Sequence, residues 1–371
     1  MRKMRTTRRT MTAGLVGTAL ALALAAPARA GETPAAPASF SAPAADAGWR
    51  LTPTGTDARF RGLAAVDRRT AWAAGSRGTV LRTTDAGRTW RDVSPPGAEG
   101  LELRDVEAFD ARRAVVLAIG EGEASRLLRT EDGGATWTET FRNTDPRAFY
   151  DCVTFLDPRH GLALSDPVDG RFRVLATDDG GRSWEVRPDT VMPAALPGEA
   201  GFAASGQCLV TAAAGGPDVW FATGGAATAR VFRSADRGRT WTVTDSPVPA
   251  GDPARGVFAL AFRDRHHGLA VGGDYRAGQP SPRAAAVTAD GGRTWTPAVT
   301  PPPAYRSGAA WLPHTRSSAL AVGPTGTDLT RDGGRTWRTV DTGSYDTVDC
   351  APDGGCWASG EKGRIAALAR R

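Results

Sequence analysis

Six copies of one eight-residue frame, Ser/Thr-x-Asp-x-Gly-x-Ser/Thr-Trp, constrain this chain more than any other feature. The first runs Thr83 to Trp90, and the others run Thr130 to Trp137, Thr177 to Trp184, Ser234 to Trp241, Thr288 to Trp295 and Thr330 to Trp337. By subtraction of residue numbers, the closing tryptophans lie 47, 47, 57, 54 and 42 residues apart. That is the period of propeller blades and solenoid repeats.

The residue types make each frame, or box, a turn device. An Asp side chain accepts backbone N–H groups of its own turn, Gly supplies a positive φ, the hydroxyls bridge backbone, and Trp buries its face between strands. Asp85, Asp132, Asp179, Asp236, Asp290 and Asp332 are therefore read as scaffold, with no catalytic or metal role. Between boxes, β-branched runs and turn signals alternate every 8 to 12 residues, an all-β pattern. In the first repeat strands are expected at 62–66, 70–74, 79–82 and 90–93. Four strands per repeat make a propeller blade. A seventh unit, 345–368, has no box and only three strands, while Trp49-Arg50-Leu51-Thr52-Pro53 resembles the fourth strand Trp90-Arg91-Asp92-Val93-Ser94-Pro95. The expectation is a seven-bladed β-propeller over residues 48–371, its ring closed by the N-terminal strand so that no edge stays open.

Residues 1–30 have the three parts of a secretory signal: five basic residues in 1–9, an apolar Ala-rich stretch over 11–26, and Ala28-Arg29-Ala30 as the cleavage site. Thr7-Arg8-Arg9-Thr10-Met11 also loosely fits a twin-arginine signal, so both export routes stay open. Residues 31–47 are Ala/Pro-rich with almost no large apolar side chain, the composition of a disordered spacer. No segment of the mature chain reads as a membrane span. Export puts the four cysteines in an oxidising compartment. Cys350 and Cys356 flank a turn sequence, and Cys152 and Cys208 begin corresponding strands of neighbouring repeats, so both pairs are expected as disulfides. The formal charge of +6 is small for 371 residues and the arginines are scattered, which argues against nucleic acid as a partner. A monomer is expected.

The frame resembles the Asp-box, or bacterial neuraminidase repeat, of sialidases, sortilin-type propellers and photosystem II assembly-factor propellers, over residues 49–371. The overall pattern is most similar to exported bacterial repeat proteins grouped with that assembly-factor family. The resemblance implies the fold and leaves function open, since such folds host unrelated activities. It also implies where a site would lie: in sialidase-type propellers, over the channel on the face opposite the boxes. There an arginine triad grips the substrate carboxylate, a Tyr/Glu pair supplies the nucleophile, and an Asp is acid/base.

Box turns join third and fourth strands, so first-to-second turns share their face, and blade connections and second-to-third turns share the other. His160, His266, His267 and His314 fall in first-to-second turns, which argues against a Ser-His-Asp triad or a His-ligated metal on the far face. Tyr150, Tyr275, Tyr305 and Tyr345 fall on the far face. The position leading into the first strand holds Arg61, Arg104, Asp151, Arg306 and Tyr345, and blades six, seven, one and two are neighbours in the ring. Arg61, Arg104 and Arg306 are thus expected to converge with a tyrosine at the channel mouth, where guanidinium groups bind carboxylate, sulfate or phosphate. Phe60-Arg61-Gly62-Leu63 faintly resembles the Phe-Arg-Ile-Pro element that supplies the first sialidase arginine, with Gly62-Leu63 departing from it. The plainer alternative pairs these residues with Asp105, Asp151 or Asp346.

The expected ligand-binding set is Arg61, Arg104, Arg306, Tyr150, Tyr275, Tyr305, Asp166 and Asp169. If there is catalysis, Glu199 in the long connection 192–206 is the candidate general base, with Tyr345 and Asp151 beside it. The leading function is an exported scaffold that binds a protein, glycan or acidic ligand on the far face. The alternative is a sialidase-like glycoside hydrolase or lyase acting on an anionic sugar. A poorly defined oxidoreductase comes third: no G-x-G-x-x-G follows a strand and opens a helix, and no haem spacing appears. No cofactor and no metal are expected.

Overall fold

The structure, a computed structural model, describes residues 48–212, 216–276 and 281–369, so the signal and spacer expected at 1–47 lie outside the described residues. Seven four-stranded antiparallel sheets succeed one another. In blade one the strands are Phe60–Ala65, Ala71–Gly75, Val80–Thr83 and Arg91–Asp92. The first strands of blades two to seven are Glu102–Ala108, Tyr150–Phe155, Leu209–Thr211, Arg255–Phe262, Gly308–Trp311 and Thr347–Cys350. Each first strand packs against the next and the seventh against the first, so these strands ring a central channel. The chain is a seven-bladed propeller. Its seventh sheet runs Thr347–Cys350, Cys356–Ser359, Ile365–Leu368 and then Trp49–Leu51, with Trp49 opposite Leu368 and Leu51 opposite Ala366. The N-terminal strand closes the ring.

The repeated turn works through its own side chains. In blade two, Asp132 Oδ1 accepts the Thr130 hydroxyl at 2.9 Å and the Thr136 N–H at 2.9 Å, while Oδ2 accepts the Thr136 hydroxyl at 2.6 Å. The Thr130 hydroxyl oxygen in turn accepts the Gly134 N–H at 2.9 Å. Gly134 has φ 83°, and a Cβ there would sit 2.5 Å from Val93 Cβ in blade one, so glycine is required on both counts. Trp137 donates its indole N–H to Val93 O at 2.8 Å. This box therefore also joins blade two to blade one, and one apolar cluster runs from Trp72 and Val93 of blade one to Leu103 and Val116 of blade two. Both expected disulfides form, Cys152–Cys208 and Cys350–Cys356, as suits an oxidising compartment. Among the described residues no helix is long and apolar enough to cross a membrane.

The connection between blades three and four enters the channel and plugs it. Gln207 donates from Nε2 to Ala309 O at 3.0 Å and Val348 O at 2.9 Å, accepts the Ala309 N–H at 2.9 Å, and its carbonyl accepts the Leu260 N–H at 2.9 Å. One residue thereby ties blades five, six and seven. Gly206, with φ 76°, lies against Asp105, whose Oδ1 would be 2.2 Å from any added Cβ. A cavity of about 480 Å³ lies on the box side of this plug, lined in part by Asp105, Glu107 and Asp349.

Asp105 accepts the Val106 and Val153 N–H groups, both at 2.8 Å, and Asp349 makes the same stitch with Cys350 and Ala65, both at 2.8 Å. Burial outweighs those bonds, pushing the Asp105 carboxyl up to about 7 and raising Asp349. Glu107, which lines the same cavity, is raised well above its usual value by burial and then by the charges of Asp105 and Asp349. The folded chain thus holds these protons more tightly than an unfolded chain, whose aspartates titrate near 3.8. The resulting stability is fully present below 3.8 and is lost as pH rises through about 7. The box carboxylates act in another window: Asp132, held near 2 by its turn bonds, contributes above 3.8 and loses that only as pH falls toward 2. Calorimetry is therefore expected to give a Tm at about pH 8 that lies roughly 3 °C or more below that at about pH 5. An equal or higher value at the alkaline end would contradict the assignment.

Candidate ligand site on the far face

The innermost strands slip register by one residue between Phe60 and Gly62, Leu103 and Asp105, Tyr150 and Cys152, and Val257 and Ala259. The residue inside each slip lacks a cross-strand partner, and a bulge of this kind re-aims its side chain. These residues are Arg61, Arg104, Asp151 and Phe258, and all four line one cavity of about 460 Å³ at the channel end away from the boxes.

Three walls surround this cavity. The cationic wall comes from blades one and two. Arg59 grips Asp346 with two bonds of 2.7 Å. Arg61 stands 3.9 Å from the same carboxylate, beyond hydrogen-bond reach, and its Nε has no partner. Arg104 donates to Ala203 O at 2.9 Å and lies 3.6 Å from Glu102. Blade three supplies the acidic wall. Asp151 is 2% exposed, its Oδ2 has no partner, and its carboxyl is raised well above its usual value by burial and then by the charge of Asp166. Asp166 is pushed up to about 6 by burial, against the bond its Oδ1 accepts from the Gly201 N–H at 2.7 Å. The third wall is aromatic: Phe202 stacks on Phe258 at 3.9 Å, and Tyr305 and Tyr275 meet Phe258 edge-on at 4.7 and 6.1 Å. A second cleft of about 580 Å³ shares Phe149 and Asp166, so the site continues outward over blade three.

Of the residues expected here, the fold brings together Arg61, Arg104, Asp151, Asp166, Tyr275 and Tyr305. It places the others elsewhere. Arg306 is 1% exposed and donates from Nε to Asp328 Oδ2 at 2.5 Å and from Nη1 to Thr325 Oγ1 at 2.9 Å, so it is no part of a clamp. Tyr345 is 1% exposed and packs on Trp49 at 5.5 Å, with Arg364 over its ring. Tyr150, also buried, packs on Phe141, and burial pushes its hydroxyl up to about 12. For Arg306 and Tyr345 the reason is a one-residue register error, which turns a side chain to the opposite face. A Cβ added to Gly308 would lie 3.0 Å from Thr347 Cα, as one added to Gly62 would lie 2.9 Å from Asp105 Cα, so Ser307 and Asp346, not Arg306 and Tyr345, correspond to Arg61 and Arg104.

Glu199 is not an available base. Its side chain is enclosed: Oε1 accepts from Arg230 Nε at 2.8 Å and Thr223 Oγ1 at 2.6 Å, and Oε2 accepts from the Leu196 N–H at 2.8 Å and from Arg230 Nη2. It anchors the long connection. Asp169 sits exposed in a turn at φ 54°, paired with Arg147 at 2.8 Å and outside the cavity. Sequence reasoning missed Phe202, Phe258 and Arg59; Asp346 was expected only as a partner for the arginines, and it does pair with Arg59. Phe258 occupies the bulge position of blade five, so a blade alignment anchored on the strand rather than on arginine finds it.

No protein-family model matches the chain, and no curated protein matches it in sequence. Among solved structures it is similar to YCF48 bound to D1 peptide, at 16% identity and a TM-score of 0.62 over 87% of this chain and 95% of that one. It is similar to YCF48 from Cyanidioschyzon merolae at 16% identity and a TM-score of 0.55, covering 86% and 98%. A GH74 xyloglucanase from Xanthomonas campestris matches at 17% identity and a TM-score of 0.52, covering 81% of this chain and 56% of that one. What they share with this chain is the propeller fold. The propeller here presents an arginine-, acid- and aromatic-lined mouth on one face and repeated turns on the other.

Proposed function

We propose that the chain is an exported, monomeric propeller of the Asp-box type, and that it binds a protein, glycan or other acidic ligand on the face opposite its boxes. The observation that carries this reading is Arg61: a bulge aims it into a cavity beside Arg104, and its Nε lacks an acceptor. A ligand carboxylate or sulfate would supply that acceptor through charge-assisted bonds. The solved neighbours include a propeller with a bound peptide and a glycoside hydrolase, both compatible with ligands at such a mouth.

The test is titration calorimetry with heparin disaccharide, trigalacturonate and an acidic peptide. At least one is expected to bind saturably, and Arg61→Ala is expected to weaken it by about tenfold or more, the scale of a lost hydrogen bond to a charged group. Arg88→Ala, on the box face, is expected to change nothing. Equal losses in both variants, or none in Arg61→Ala, would defeat the assignment. The hydrolase reading keeps Asp151 and Asp166 as a carboxyl pair, both raised by burial, while Glu199 is held by Arg230 and Tyr345 is buried. It requires turnover of fluorogenic uronides or sialosides that Asp151→Asn abolishes.

A further inference from the structure

The cavity holds two unmet bonding needs of opposite sign. Arg61 Nε has no acceptor and Asp151 Oδ2 has no donor. Four other acids of this face have guanidinium partners: Asp346 has Arg59, Asp274 has Arg276 and Arg255, Glu199 has Arg230, and Asp145 has Arg147 and Arg173. Among the described residues, Asp151 and Asp166 stand in no ion pair, and Asp166 holds only the Gly201 N–H as a partner. An enclosed carboxyl without a donor is unfavourable, and an arriving cationic donor relieves it. The remaining wall of Phe258, Tyr275 and Tyr305 carries no charge and suits an apolar group.

In ring order, blades one and two hold the arginines, blade three the acids, and blade five with its connection to blade six the aromatic rings. We infer that the cavity is built for a free α-amino acid with a large apolar side chain: ammonium at Asp151 and Asp166, carboxylate at Arg61 and Arg104, side chain on the aromatic wall. Three walls round one cavity match three substituents round one α-carbon. A purely anionic ligand leaves Asp151 Oδ2 unmet and sets its charge near Asp166; a purely cationic ligand leaves Arg61 Nε unmet. This inference rests on the far face being the ligand site and gives that site a substrate class. A volume of about 460 Å³ accommodates the largest amino-acid side chains with room for water.

The experiment is calorimetry on the purified, unsubstituted protein with L-phenylalanine, 3-phenylpropanoate, which lacks the ammonium, and phenethylamine, which lacks the carboxylate. Phenylalanine is expected to bind at least about tenfold more tightly than either analogue. Asp151→Asn is expected to remove the preference over 3-phenylpropanoate, and Arg61→Ala the preference over phenethylamine. Binding of 3-phenylpropanoate as tight as that of phenylalanine, and weakened by Arg61→Ala, would overturn the amino-acid assignment and leave an anion site. No binding by phenylalanine, leucine or tryptophan would overturn it as well. If acidic oligosaccharide or peptide then bound in an Arg61-dependent way, the face would stand and the amino acid alone would fall; if Arg61→Ala changed nothing in either set, both would fall.

Discussion

Arg306→Ala is expected to lower unfolding stability by about 3–5 kcal/mol, and Glu199→Ala by a similar amount, because each change leaves an enclosed charge without its partner. The Arg306 and Asp328 side chains are 1% and 0% exposed, and those of Arg230 and Glu199 are 9% and 0%. Asp328 would keep only the Thr339 hydroxyl, at 2.7 Å, and the carbonyl of Tyr305 would lose its donor. Replacing both charges, as Arg306→Met with Asp328→Leu, is expected to recover most of the loss, since a packed apolar pair needs no desolvation of ions. Urea unfolding of the two single variants and the double variant decides the matter. If Arg306→Ala were as stable as the parent while losing ligand, the arginine would belong to the clamp after all. The Glu199 result has the same force: a general base can be removed with little effect on folding, whereas an anchor for Ala194 to Ala200 cannot, because Arg230 also holds Ala194 O at 2.9 Å.

How far the sequence reaches into this structure depends on how local each interaction is. The boxes are legible because Thr130, Asp132, Gly134 and Thr136 bond to one another within a few residues, so the residue types themselves encode the turn. Ring closure is legible because Trp49-Arg50-Leu51-Thr52-Pro53 resembles the fourth strand of blade one, and Trp49–Leu51 takes that place in blade seven. The cavity is legible in part. Arg61, Arg104 and Asp151 follow from aligning first strands, but a bulge adds a residue without changing composition, and nothing in Tyr305-Arg306-Ser307 marks which residue takes the position. Aligning that segment on its arginine put Arg306 on the channel side, where the fold puts Ser307. Partner choice is least legible. Glu199 meets Arg230 31 residues away, across the connection and into blade four, and Gln207 meets Val348 141 residues away, a contact that exists only once the ring has closed. Phe202 and Phe258 look like ordinary core aromatics until the connection carrying Phe202 lies across the channel mouth.

Removing the Cys152–Cys208 bridge by substitution of both cysteines with alanine is expected to destabilise the chain by about 4 kcal/mol, the loop-closure value for the 56-residue separation. The Cys350–Cys356 bridge closes a separation of 6 residues inside one hairpin, so its loss is expected to cost only about 2 kcal/mol. The two bridges differ in what they hold as well as in what they close. Cys350 and Cys356 already face each other across paired strands, so the hairpin register survives without sulfur. Cys208 ends the channel plug, directly after Gln207, and Cys152 lies in the first strand of blade three beside Asp151. Without that bond the plug keeps its hydrogen bonds to blades five, six and seven but loses its covalent tie to the acidic wall. Hydrogen exchange at the Gln207 N–H, which donates to Ser205 Oγ, is therefore expected to rise in the Cys152→Ala/Cys208→Ala variant, with exchange in blade six little changed. Equal destabilisation by both bridge deletions, or uniform exchange across the ring, would show that the plug is held by the channel alone.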